Sequence, residues 1–315
     1  MISVKDKIFV AGHNGLVGRA IVRRLKKDGY KNILTAERKQ LDLVDQKKVF
    51  KFLKTEKPKF IFLAAAKVGG IYSNTKYKAE YIYQNISIQS NIIHGAYLAG
   101  VKDLIFLGSS CVYPRASKQP MKENYLLNGY LEETNDAYAI AKILGIKMCE
   151  SYNKQYNTNY KTLLPSNIFG PNDNYHELNS HFLAALIKKI HLIKKKELGK
   201  LILWGNGMAK RELLYVDDMA DACIYFMKKQ FKESYINIGT GKDLTIEQYA
   251  KKILKIILPR NQIKISFDTT KPNGMPRKIL DIKLASKYGW KAKTNIDTAI
   301  KKTYISFLSE KSLKK

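Results

Sequence analysis

The chain has 315 residues, and its 56 Lys plus Arg against 27 Asp plus Glu give a formal net charge of +29. Hydrophobic residues make up 45% and charged residues 26%, ordinary globular values that exclude a disordered basic tail. No apolar run approaches the roughly 18 residues of a membrane span, and three scattered cysteines are too few for a disulfide framework or a metal site.

The first half alternates short apolar strands with amphipathic helices. Strands are predicted over 7–11, 32–36, 60–64 and 104–108, and helices over 16–28, 45–55 and 76–99. The runs at 60–66 and 104–107 are continuously apolar, as strands covered on both faces should be. Strand–helix–strand repetition with short links predicts a Rossmann-type, doubly wound parallel α/β sheet. A helix over 136–156 and a strand over 162–165 follow. Pro165, Gly170 and Pro171 then punctuate a loop to about 179. Further on come a helix over 181–195, a strand over 201–204, a helix over 217–229, a strand over 235–238 and a helix over 246–257. The tail holds a strand over 263–267 and a loop rich in proline and glycine over 271–277. The expected division is a first domain over 1–165 and a smaller C-terminal α/β domain over 166–315, with segments near 205–240 returning to the first core.

Gly12, Gly15 and Gly18 stand directly after the first strand and at a helix start. Glycine permits the tight turn and lets backbone N–H groups approach a pyrophosphate, and the helix dipole adds attraction. Asn14, Leu16 and Val17 complete the predicted dinucleotide cradle. At the end of the second strand, Glu37 offers a carboxylate to a ribose 2′-hydroxyl and Arg38 a guanidinium to a 2′-phosphate. In a chain that otherwise uses lysine, Arg38 tilts the expectation to NADP(H). Asp42 is placed for the adenine, or as a helix N-cap.

Tyr138 and Lys142 lie four residues apart, on one helix face about 6 Å apart. An ammonium beside a phenol favours phenolate and should lower the Tyr138 pKa, making it a usable acid/base. Upstream, 104–114 reads Leu-Ile-Phe-Leu-Gly-Ser-Ser-Cys-Val-Tyr-Pro, the carboxyl end of a core strand, where doubly wound sheets place ligands. Alternation along a strand would turn Ser109 and Cys111 the same way and Ser110 the other.

The glycine loop, the strand-end serine and Tyr138-x-x-x-Lys142 together resemble the extended short-chain dehydrogenase/reductases. The strings at 64–71, 83–85, 108–114, 138–142, 149–153, 167–173, 179–181 and 211–219 extend the resemblance to the members that epimerise and reduce a GDP-4-keto-6-deoxy sugar. It runs from the glycine loop to about Lys278. The resemblance implies Ser109, Tyr138 and Lys142 as the reductase triad and Cys111 with His181 as the epimerase acid/base pair. It implies that Asn167 contacts the bound ligands and that Lys189, Trp204, Arg211 and Lys278 hold the GDP-sugar. A C2 homodimer through the helices at 76–99 and 136–156 is also implied. Where many relatives carry arginine, this chain has Asn14 in the glycine loop and Lys189.

The charge first suggests nucleic acid. However, only eight of the 56 basic residues are Arg, the preferred reader of bases and phosphates. The lysines are also dispersed, the densest runs being Lys194–Lys196 and Lys314–Lys315. The expectation is therefore no nucleic acid and no membrane partner. Early charges before any apolar leader, and few cysteines, fit a cytoplasmic chain. The competing readings are a C4 reductase of another GDP-4-keto sugar, such as a 6-deoxy-heptose, a UDP-sugar 4-epimerase, and a nucleic-acid binder on a reductase fold.

Overall fold

The architecture is that of a computed structural model, which describes residues 2–176, 179–196, 199–260, 263–271 and 274–312. Pro272 and Asn273 of the predicted loop and the Lys314–Lys315 pair lie outside the described residues.

The first half runs β1 (Ile8–Ala11), α1 (Leu16–Lys27), β2 (Ile33–Leu34), α2 (Gln46–Glu56), β3 (Phe60–Leu63), α3 (Ile71–Lys76), α4 (Lys78–Leu98), β4 (Asp103–Leu107), α5 (Asp136–Tyr156) and β5 (Asn159–Pro165). The second runs β6 (Asn167–Phe169), α6 (Phe182–Lys196), β7 (Lys200–Trp204), β8 (Lys210–Tyr215), α7 (Val216–Lys228) and β9 (Tyr235–Ile238). It continues with β10 (Asp243–Thr245), α8 (Ile246–Ile257), β11 (Lys264–Asp268), β12 (Arg277–Lys278), α9 (Lys283–Lys287) and α10 (Ile296–Ser312).

Six strands form one parallel sheet in the order β2-β1-β3-β4-β5-β9. Every residue of β1 and β3 is buried, which explains their unbroken apolar sequence. Leu25 of α1 and Met219 and Phe226 of α7 pack on one face. Val49 and Leu53 of α2, Ile92 of α4 and Ile146 of α5 pack on the other. Each such fully buried side chain contributes about 1.5–3 kcal/mol. The chain order reverses between β1 and β3, and ligands of such sheets gather there, outside the carboxyl ends of the strands.

A third apolar core joins Ile187 and Ile190 of α6, Leu201 of β7, Leu213 of β8, Ile253 of α8 and Ile300 of α10. Its strands form two small sheets: β10-β8-β12, with β6 also paired to β8, and β11-β7. Between these pieces the chain returns to the large sheet, where β9 becomes the edge strand beside β5.

Most predicted elements occur within a few residues of their expected bounds. The helix predicted from 76 is broken at Tyr77, whose φ/ψ of −118°/38° separates α3 from α4. β6 replaces part of the predicted loop, and β8, β10, β12, α9 and α10 were not anticipated. β6 is three residues squeezed between Pro165 and Gly170. β8 opens on Lys210-Arg211-Glu212, which carries no apolar period.

Candidate active site

Gly12, with φ at +86°, closes the turn after β1; a Cβ there would lie 2.6 Å from Ala65 Cα. A Cβ on Gly18 would lie 2.1 Å from the Gly12 carbonyl oxygen. These two glycines bring β1, α1 and the end of β3 together. Gly15 differs, since a Cβ would meet only the Gly12 oxygen at 3.4 Å. It is the N-cap of α1, and no side chain caps that helix. Leu16, Val17 and Gly18 thus begin a helix whose N–H groups and dipole suit an anion, in a cradle that a side chain on Gly15 would fill. The residues present fit a dinucleotide pyrophosphate.

At the ribose edge, Asn14 Nδ2 donates to Glu37 Oε2 at 2.8 Å, and His13 Nε2 lies 3.5 Å from Glu37 Oε1. The Asn14 bond, with His13 and Arg19 helping against desolvation, holds the Glu37 carboxyl below its ordinary pKa. Arg38 is 75% exposed, with Nε 3.5 Å from Asp42 Oδ2. Asp42 also accepts from Val44 N at 3.1 Å, while the N-cap of α2 is Asp45. Asp42 is therefore not the helix cap.

β4 ends at Leu107, and Ser110–Val112 form a single 3-10 turn capped by Ser109, whose Oγ accepts from Cys111 N at 3.2 Å. Strand alternation thus does not orient these residues. The turn buries Ser110 and Val112 and leaves Ser109 and Cys111 half-buried. The Ser109 hydroxyl lies near both the Cys111 thiol and the Tyr138 phenol and lowers the pKa of each.

Lys142 is buried on α5, with Nζ 5.7 Å from the Tyr138 ring centroid, and donates to Leu107 O at 2.6 Å. Burial pushes its pKa down to about 7 against a raising effect of Cys111. Burial pushes the Tyr138 phenol up, Cys111 adds to this, and the nearby Ser109 hydroxyl opposes it. The expected lowering by Lys142 is therefore not present: a buried amine that is itself half-discharged near pH 7 does not offset desolvation of the phenol. Tyr138 is held as a neutral acid.

Cys111 Sγ accepts from Asn135 Nδ2 at 3.4 Å and from Lys278 Nζ at 3.3 Å. Burial alone would raise this thiol, but the Lys278 charge, the nearby Ser109 hydroxyl and the bonds from Lys278 and Asn135 outweigh it and leave the pKa lowered. His181, immediately before α6, is solvent-accessible. Desolvation by the surrounding protein, then the Lys278 charge, lowers its pKa. One ammonium therefore acts on both groups. The loop after β3 approaches the same place, where Gly70 N donates to Asn179 O at 3.2 Å. Asn85, fully buried on α4, pins that loop by accepting from Lys67 N at 2.9 Å and donating to Lys67 O at 3.0 Å.

The remaining residues expected at the nucleotide sugar are distributed over the second half. Asn167 Nδ2 donates to Glu212 O at 3.1 Å, joining β6 to β8. Lys189 on α6 donates to Ile202 O, and burial lowers its pKa. Trp204 is 67% exposed, with Lys271 Nζ 6.0 Å from its ring centroid. Arg211 donates to Met275 O at 2.6 Å and is lowered by burial. Lys278, expected at the GDP-sugar, touches the Cys111 thiol.

Three residues here escaped the sequence reading. Asn135 stands three positions before Tyr138, on its helix face, and that spacing was the available signal. Glu212 is fully buried on β8, where Oε1 accepts from Thr240 N at 2.6 Å and Gly241 N at 2.7 Å, and Oε2 from Leu280 N at 2.8 Å. Asn237 on β9 donates to Met121 O at 3.0 Å and Asp281 O at 3.2 Å, and accepts from Tyr113 Oη at 2.6 Å. Neither has a local sequence signature.

A glycine-loop sheet with serine, tyrosine and lysine at its carboxyl edge defines the class as a dinucleotide-dependent short-chain oxidoreductase. The model of the NAD dependent epimerase/dehydratase family matches residues 8–239. The chain is 44% identical over 313 residues to a GDP-L-fucose synthase of Escherichia coli, covering 96% of this chain and 97% of that protein. It is also 44% identical over 315 residues to a putative GDP-L-fucose synthase 2 of Arabidopsis thaliana, covering 100% of this chain and 95% of that one. A solved GDP-mannoheptose C4 reductase of Campylobacter jejuni with NADP bound has a TM-score of 0.88 and 36% identity, covering 98% and 100% of the two chains. The protein belongs to the NAD-dependent epimerase/dehydratase family, in its GDP-L-fucose synthase branch.

Proposed function

We propose that this protein converts GDP-4-keto-6-deoxymannose to GDP-L-fucose by 3,5-epimerisation followed by NADPH-dependent reduction at carbon 4. The observation that carries the proposal is the turn after β4, where Cys111 N donates to Ser109 Oγ at 3.2 Å and both residues bear on the Tyr138 phenol of α5. It joins a proton-transfer pair to a reductase set at one carbonyl-sized place.

The 4-keto group acidifies the hydrogens on carbons 3 and 5. Cys111 and His181 exchange those protons; both side chains have ordinary pKa values within about 1.5 units of neutrality. Ser109 and Tyr138 donate to the ketone oxygen as it gains enolate charge. NADPH, when bound in the Gly12–Gly18 cradle, supplies the hydride to carbon 4. Tyr138, neutral through burial, then gives its proton to the carbon-4 alkoxide. Lys142 fixes α5 against the end of β4 through Leu107 O.

The division of labour follows the proposed domains. Residues 1–165 hold the cofactor, with Arg38 and Asp42 at its ribose and adenine end. Residues 166–315 hold the GDP-sugar through Asn167, Lys189, Trp204 and Arg211, while Lys278 reaches the Cys111 end of the same site, and 205–240 returns in part to the large sheet. The exposed Tyr83 and Leu98 on α4 and Ile140 on α5 offer a face for a C2 homodimer. Among the described residues no helix is long and apolar enough to cross a membrane. The three free cysteines fit a reducing cytoplasm.

A second reading, reduction of carbon 4 in a GDP-heptose without epimerisation, is favoured by the likeness to the heptose C4 reductase. Product analysis separates the two. With NADPH and GDP-4-keto-6-deoxymannose, GDP-L-fucose should form with one NADPH consumed per turnover. A reduced product that retains its configuration at carbons 3 and 5 would support the second reading.

A further inference from the structure

We propose that Lys278 is the positioning residue that holds the Cys111 side chain as a thiolate, in an ammonium–thiolate pair completed by Asn135. The inference rests on the proton-transfer role proposed for Cys111.

The pair is assembled across the molecule. Lys278 lies 167 residues from Cys111 in sequence, yet its Nζ is 3.3 Å from Sγ. Asn135 Nδ2 reaches the same sulfur from the N-cap of α5 at 3.4 Å. A thiolate is the form that accepts from both donors. The charge acting on Cys111 is that of Lys278 on β12, and Cys111 in turn bears on Tyr138 and Lys142 of α5. Tyr138 is neutral, and Lys142 is half-discharged near pH 7 through burial. Lys278 therefore supplies the positive charge that matters, and an opposite charge this close moves a pKa by about 1–3 units.

The backbone around Lys278 is fixed on both sides. β12 pairs with β8 in the register Lys278↔Arg211. Two residues on, Leu280 N is held by the buried Glu212 carboxylate at 2.8 Å, and Asp281 O by Asn237 at 3.2 Å. Asn237 in turn accepts from Tyr113, two residues after Cys111, at 2.6 Å. One buried polar hub thus ties the cysteine turn to the lysine strand. With its pair formed, Cys111 takes a proton from the sugar carbon as a thiolate; the C–H electrons pass to the ketone oxygen and His181 returns a proton to carbon.

The test is the pH dependence of iodoacetamide alkylation of Cys111 in the full chain, mapped by mass spectrometry. Cys149 and Cys223 are fully buried, so the label reports the site. In the wild type the midpoint should lie below the free-thiol value of about 8.5. Lys278→Met should raise it by about one unit or more, and Lys278→Arg should restore it. Asn135→Ala should raise it less, and serves as the second variant if Lys278→Met does not fold. Equal midpoints in wild type, Lys278→Met and Asn135→Ala would overturn the proposal. If instead Cys111→Ser still exchanges deuterium at carbons 3 and 5, the proton-transfer reading fails while the alkylation result stands on its own.

Discussion

The two proton-handling sets of this site are built in opposite ways. Ser109, Tyr138 and Lys142 come from one strand end and one helix, within 34 residues of one another, and Lys142 is anchored to the strand end itself at 2.6 Å. Cys111, His181 and Lys278 come from three segments spread over 167 residues, joined only by tertiary structure. The first set is desolvated, which keeps Tyr138 protonated and brings the Lys142 pKa down to about 7. The second is governed by a surviving positive charge, which opposes desolvation at Cys111 and adds to it at His181. A phenol kept neutral is suited to give a proton; a thiol beside an ammonium is suited to take one. Fold proximity, not sequence proximity, separates these chemistries.

The largest expected effects separate the sets directly. Tyr138→Phe should lower the rate of NADPH oxidation by roughly 10²–10⁴-fold, the usual worth of a positioned proton donor. It should slow deuterium exchange at carbons 3 and 5 far less. Next in size, substitutions in the glycine loop should split stability from cofactor binding. Gly18→Ala forces a Cβ to within 2.1 Å of a carbonyl oxygen and should lower both Tm and NADPH affinity. Gly15→Ala meets nothing tighter than 3.4 Å, so Tm should hold while NADPH affinity, read by direct titration, falls. Equal Tm losses would break the distinction between a structural and a ligand-facing glycine.

A smaller effect concerns Lys142. Its folded pKa of about 7 lies below the ordinary value of 10.5. Between these pH values the unfolded chain binds the extra proton, so this group makes stability rise with pH across that window. Lys142→Met should remove that rise in a comparison of Tm at pH 7 and pH 9.5, and an unchanged slope would contradict the burial argument. The smallest effect lies at the ribose edge. Glu37, held ionised by Asn14, stands beside Arg38, so Glu37→Gln should increase the preference for NADPH over NADH in kcat/KM.

The contrast also explains what was legible in the sequence. The parallel sheet follows from the apolar runs of β1, β3 and β4, and the glycine and Tyr138–Lys142 spacings mark local geometry. Cys111 is marked by its strand end, but its pairing with His181 rests on resemblance, because nothing in their spacing brings residues 111 and 181 together. The contact between Lys278 and Cys111 was not legible, since it depends on the β8–β12 register and on Glu212 and Asn237. The phenolate expected for Tyr138 also failed, because spacing shows that a lysine is near but not that burial discharges it. The net charge of +29 is carried mainly by dispersed lysine, and Lys278 is one place where it bears on the site.

The most direct test of these two roles is solvent-deuterium incorporation at carbons 3 and 5 of GDP-4-keto-6-deoxymannose, measured beside NADPH oxidation for Tyr138→Phe and Cys111→Ser. Tyr138→Phe should lose reduction by a larger factor than exchange, since Ser109 still donates to the ketone oxygen; Cys111→Ser should lose exchange yet still reduce a pre-epimerised substrate. Equal loss of both activities in both variants would contradict the separation of roles.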